Sequence, residues 1–124
     1  MKTASDVMSR TLFLITPAAS VAEASAKMEQ HQIHSLIVER MDGVDAYGII
    51  TDTDVVRKVL ACEKDPAQTL VREVMSKPII TIPPNCTLFE IAQLMTRNHI
   101  NHLPVFDGQQ LVGMVSSTDI FNVK

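Results

Sequence analysis

The sequence predicts a mixed α/β (α+β) fold: two β-α-β-β-α repeats packed sheet to sheet with pseudo-two-fold symmetry. Three observations predict it. The 124-residue chain repeats itself in collinear order; each copy alternates short apolar runs with helix-period stretches opened by capping residues; and 46% hydrophobic residues against 4% aromatic, with no Trp, call for an aliphatic core. A mean hydropathy of +0.14 provides enough apolar surface to offset ordering entropy and excludes a disordered chain.

The repeat is read from matched residues. Val7-Met8-Ser9 recurs as Val74-Met75-Ser76, 67 residues later (74 − 7), and the same offset pairs Ile15 with Ile82, Glu23 with Glu90 and Met28 with Met95. Beyond Val38 and Val105 the offset becomes 65 (119 − 54), pairing Gly48 with Gly113 and Asp54 with Asp119. The length change falls where Asp42-Gly43 and Asp107-Gly108 supply turn chemistry.

Each copy opens with a β segment, Leu12 to Thr16 and Ile79 to Ile82. A helix follows, with Val21, Ala22, Ala24 and Met28 at helical spacing in one copy and Leu88, Ile91, Ala92, Leu94 and Met95 in the other. Ser20 and Thr87 are its N-caps, and Glu23 and Glu90 three residues on complete capping boxes. Hairpins are expected from Ser35 to Val38 with Ala46 to Thr51, and from His102 to Phe106 with Leu111 to Ser116. A second helix starts near Thr53 and near Thr118, the latter cut short at Lys124. Residues 1–62 are the expected first repeat, 63–70 a polar linker and 71–124 the second, fused because a half-size copy is too small to be stable alone.

Composition also bounds function. Eleven basic against fourteen acidic residues give a net charge of −3, which lacks the footprint of a nucleic-acid binder. No apolar run approaches the roughly 18 residues of a membrane span, and Asp6 and Arg10 interrupt any leader. Cys62 and Cys86 form no close motif and read as reduced thiols of a cytoplasmic protein. Catalysis is not expected: the chain has no Gly-rich phosphate loop or nucleophile elbow. His31 with His34 and His99 with His102 suggest metal pairs, but the offset maps His31 and His34 to Asn98 and Asn101, so surface or lining histidines are the better reading and no metal is expected. Met8 and Met75 sit on short amphipathic segments suited to covering the other copy or a second chain.

The order Val-Met, apolar β, Thr/Pro, helix, then His-Ile-Asn-His-Leu-Pro-Val before Asp-Gly and Leu-Val-Gly-Met-Val-Ser-Ser-Thr-Asp-Ile resembles a tandem pair of CBS domains, or Bateman module, standing alone. The resemblance is strongest over His99 to Ile120 and clear over Ile33 to Val55; Ile37 stands where the second copy has Pro104. It implies adenosine-containing ligands (AMP, ADP, ATP or S-adenosylmethionine) in clefts between the copies, a disc-like homodimer, and a regulated protein partner.

Each copy leaves its last strand through a hydroxyl residue followed three later by Asp: Thr51 with Asp54, and Ser116 with Asp119. A helix start favours phosphate, and by similarity to the family the two aspartates would hold ribose hydroxyls while Thr51 and Ser116 contact ribose or phosphate. Arg57, one turn after Asp54, is the expected phosphate cation of the first site, with Asp52 opposing it; Lys124 is the nearest cation of the second. The adenine would lie against Ile15, Ile33, His34 and Leu36 in one copy and Ile82, Ile100, His102 and Pro104 in the other. The competing reading is that Ser/Thr and Asp merely cap helices, contributing about 1 kcal/mol each, in a structural dimerisation or docking module with no ligand.

Overall fold

The computed structural model describes residues 1–43 and 45–123. Along the chain run α1 (Ala4–Val7), β1 (Leu14–Ile15), α2 (Val21–His31), β2 (Ser35–Val38) and β3 (Gly48–Thr51). Next come α3 (Asp52–Val55), continued by a π-helical stretch Val56–Leu60, and a 3-10 turn Val71–Glu73. Then follow α4 (Leu88–Asn98), β4 (His102–Phe106), β5 (Leu111–Ser116) and α5 (Ser117–Phe121). Two small sheets with helices result, the mixed α and β architecture that the repeat predicts.

The compact units are cut differently from the sequence repeats. One is Phe13–Ile79; the other joins residues 1–12 to the chain from Ile80 onward.

In the first unit the sheet order is β1-β2-β3, with β1 parallel to β2 (Ile15 opposite Val38) and β2 antiparallel to β3 (Ser35 opposite Thr51). Val21, Ala24 and Met28 on α2 pack with Leu36, Val38 and Ile50 of the sheet and with Val59, Val71 and Val74. The expected linker is pinned within this unit: Val21 and Ala22 donate to the carbonyls of Thr69 and Pro66 at 2.8 and 3.0 Å, and the Thr69 hydroxyl donates to Asp65.

In the other unit β4 and β5 form an antiparallel pair, with His102 opposite Ser116. The strand expected at Ile79 to Ile82 shrinks to a single parallel bridge, Ile82 to Val105. Proline explains the correction: Pro78, Pro83 and Pro84 remove three ladder donors around it. The β1 expectation, Leu12 to Thr16, narrows likewise to two residues. Ala4, Ile91, Leu103, Val105 and Val115 have no exposed surface and centre this unit's core.

Each Val-Met-Ser segment completes the sheet of the unit built on the other repeat. Ser9 and Met114 exchange two hydrogen bonds of 2.9 Å; Ser76 and Ile49 exchange bonds of 2.9 and 3.0 Å. Met8 thereby lies over Gly113, and Met75 over Gly48. Neither glycine has a positive φ, so both are required by close approach, not by conformation.

Capping boxes open the long helices as their spacing predicts. Ser20 accepts from the Glu23 N–H at 3.1 Å and Thr87 from the Glu90 N–H at 3.2 Å. The Thr87 N–H and hydroxyl donate to Glu90 at 3.0 and 2.9 Å, and hold its carboxyl below the usual glutamate range. Asp6 is lowered the same way by the N–H and then the hydroxyl of Thr3. A carboxylate lowered in the folded state stabilises fully above its unfolded value, and that contribution disappears as pH falls through the folded value. Denaturant midpoints should therefore decline below about pH 4.5, and Glu90→Gln should make the decline shallower. An unchanged pH profile in Glu90→Gln would remove Glu90 from the acid response.

Candidate functional site

The hydroxyl and carboxylate candidates stand where β3 enters α3 and where β5 enters α5. At the first junction the backbone of Thr51 is extended (φ −121°, ψ 162°), so its hydroxyl faces back along the helix and accepts from the Asp54 N–H at 3.1 Å. The Thr51 N–H donates to Asp54 Oδ2 at 3.0 Å. The second junction repeats this: Ser116 accepts from the Asp119 N–H at 3.2 Å and donates its own N–H to Asp119 Oδ2 at 2.8 Å. Both S/T-x-x-D pairs are thus capping boxes, and each brings one hydroxyl and one half-buried carboxylate together at the end of a strand.

Charge distinguishes the junctions. Asp54 Oδ1 lies 3.3 Å from Lys58 Nζ, which also donates to the Val74 carbonyl at 3.0 Å. The cation meeting Asp54 is Lys58, four residues on, while Arg57, the expected phosphate cation, is exposed. The i,i+4 spacing was the signal for Lys58. Asp52 Oδ2 sits 2.9 Å from His34 Nδ1, and the Asp52 N–H donates to the His34 carbonyl at 3.0 Å. Asn101 and Ser117 reproduce that backbone bond at 2.9 Å without the charges. Lys124, the expected cation of the second site, lies outside the described residues.

The apolar candidates divide by burial. Ile15, Leu36, Ile82 and Pro104 are buried, and the side chains of Ile15, Leu36 and Ile82 are members of the cores. Ile33, Ile100 and His102 are half-buried and His34 is exposed, so these four present surface. Ile100 lines a cavity of about 270 Å³ with Met95, Asn101, Ser117 and Ile120. Asp119 lines a different one, about 400 Å³, with Lys2, Asp6, Val7, Asn122 and Val123.

The histidines occupy separate surroundings. His99 is the left-handed C-cap of α4 (φ 53°), as Gln32 is of α2, and the His31 ring lies 4.4 Å from that of Phe13. Among the described residues, no three His, Cys, Asp or Glu side chains gather as metal ligands would. Cys62 is an exposed free thiol; Cys86 is buried, and that burial, then Glu90, pushes its thiol up.

The family model for the CBS domain matches residues 4–61 and 71–124. The uncharacterized protein MK0525 of Methanopyrus kandleri is 32% identical over 120 residues, a match covering 96% of this chain and 61% of that protein; the chain thus spans less than two thirds of that relative. The hexameric CBS-CP12 protein from bloom-forming cyanobacteria superposes with a TM-score of 0.95 at 34% identity, over 99% of this chain and 71% of that one. The CBS domain pair of protein MJ0100, solved with 5′-methylthioadenosine and S-adenosyl-L-methionine, gives 0.86 at 28% identity, over 98% and 94%.

Proposed function

From the premise that the chain belongs to the CBS-domain family, as a tandem pair, we propose that it is a regulatory module whose ligand is an adenosine-containing nucleotide or nucleoside. One observation carries the reading: the same hydroxyl–carboxylate pair stands at the end of β3 (Thr51, Asp54) and of β5 (Ser116, Asp119). A carboxylate beside a hydroxyl suits a ribose diol, which donates twice. The MJ0100 pair, with adenosine-type ligands bound, supports that ligand class. Ligand binding that differs between two states of the module is what would signal to a regulated protein.

The role is regulatory rather than catalytic, and we place it in the cytoplasm. No helix among the described residues is long and apolar enough to cross a membrane. Val56 and Leu60, 56% and 54% exposed and four residues apart on one helical stretch, support a homodimer surface.

Calorimetric titration with AMP, ADP, ATP and S-adenosylmethionine tests the reading. At least one should bind, and at one hundred times its dissociation constant it should add about 2.7 kcal/mol of stability. The double variant Asp54→Asn, Asp119→Asn retains side-chain oxygens at the caps and should lose the ligand. If no adenosine compound shifts the melting temperature at millimolar concentration, the docking module without ligand is the correct reading.

A further inference from the structure

We infer that Lys58 makes the two sites unequal, reserving the first for ligands that carry an anion while the second also accepts uncharged nucleosides. The inference rests on the functional reading above and concerns the selectivity of those sites.

Both oxygens of Asp54 are engaged. Oδ2 accepts from the Thr51 N–H at 3.0 Å, and Oδ1 faces the Lys58 ammonium at 3.3 Å. Lys58 is anchored a second time, on the Val74 carbonyl at 3.0 Å, so it is held where it blocks Oδ1. The Asp54 side chain is only 16% exposed, against 47% for that of Lys58. A ribose diol reaching Oδ1 must displace the ammonium.

Displacement by an uncharged nucleoside leaves the ammonium without its counter-charge, with the Val74 carbonyl and solvent as its remaining partners. Displacement by a phosphorylated ligand does not, because the flexible lysine stem carries the charge to the phosphate. The ion pair thus acts as a filter for anionic ligands.

Among the described residues the second site has no such filter. The repeat equivalent of Lys58 is Val123, and among the described residues no ammonium or guanidinium stands within ion-pair distance of Asp119. Oδ2 is used by the Ser116 N–H, and the carboxylate borders a cavity of about 400 Å³ whose other charged groups, Lys2 and Asp6, are of opposite sign. A diol can approach Asp119 without breaking an ion pair.

The experiment titrates adenosine and AMP into the full chain, its Lys58→Met and Lys58→Gln variants, and Val123→Lys. In the unaltered chain AMP should fill two sites and adenosine one, the latter lost with Asp119→Asn. Both Lys58 variants should admit adenosine to the first site and lower the AMP preference there about tenfold, as removal of a charge-assisted contact does. Lys58→Gln keeps a donor for Val74, so agreement between the two variants separates charge from folding. Val123→Lys should weaken adenosine at the second site. If both ligands bind but the AMP-to-adenosine ratio is the same with and without Lys58, the inference is overturned and the functional reading stands. If neither ligand binds any form, the functional reading fails and takes the inference with it.

Discussion

Gly113→Ala is expected to destabilise the protein by about 2 kcal/mol, although it adds one methyl group to a strand. A Cβ at Gly113 would lie 2.5 Å from Met8 Sδ, 2.9 Å from Met8 Cγ and 2.9 Å from the Ser9 carbonyl oxygen. The methionine end can move; the carbonyl cannot, because it accepts from the Met114 N–H at 2.9 Å. Relief of unfolded-chain entropy favours alanine by only about 0.4–1 kcal/mol and does not offset the clash. Gly48→Ala should cost less, since its tightest contact is the flexible Met75 Sδ at 2.8 Å and the nearest backbone atom, the Ser76 oxygen, is 3.2 Å away. Urea midpoints at constant slope measure both. Met8→Ala in the Gly113→Ala background should recover part of the loss, by removing two of the three close atoms. If Gly113→Ala unfolds at the same midpoint as the unaltered chain, Met8 does not cover that strand.

The features legible in the sequence are those written in short spacings. Ser20 with Glu23 and Thr87 with Glu90, each pair three residues apart, mark two helix starts, and Thr51 with Asp54 and Ser116 with Asp119 mark two more. The same spacing located the hydroxyl–carboxylate pairs of the candidate site. What depends on distant partners was not legible. The exchange of Val-Met-Ser segments was legible only as Met8 and Met75 covering the other copy or a second chain; no local pattern specifies the register that joins Ser9 to Met114. Burial in β2 does not alternate: Leu36, Ile37 and Val38 are buried in succession, so the apolar run marked no ligand-facing side, and Ile15 and Leu36, the expected adenine neighbours, lie in the core while Ile33 keeps exposed surface. Arg57 and Lys58 are adjacent and both basic; the ion pair of Lys58 with Asp54 follows from i,i+4 spacing, which the sequence reading, occupied with Arg57 as a phosphate cation, did not use.

Leu36→Ala is expected to cost stability rather than ligand affinity. Leu36 is fully buried in β2, within the cluster formed by Val21, Met28, Val38 and Ile50. Truncating such a leucine removes its transfer free energy and leaves a cavity, at a cost of about 2–5 kcal/mol. Leu103→Ala, at the equivalent place in β4, should cost a similar amount, because Leu103 is equally buried beside Ile91 and Val115. A ligand-wall residue would behave in the opposite way, with a small stability loss and a large affinity loss. Chemical denaturation without ligand, followed by titration at a temperature where the variant is still folded, separates the two. The expected pattern for Leu36→Ala is a large fall in unfolding free energy with the affinity of the folded fraction retained. Ile33→Ala, at a half-buried side chain beside the same junction, should show the smaller stability loss and the larger effect on ligand. A Leu36→Ala protein that loses under about 1 kcal/mol yet no longer binds ligand would place Leu36 in the ligand wall.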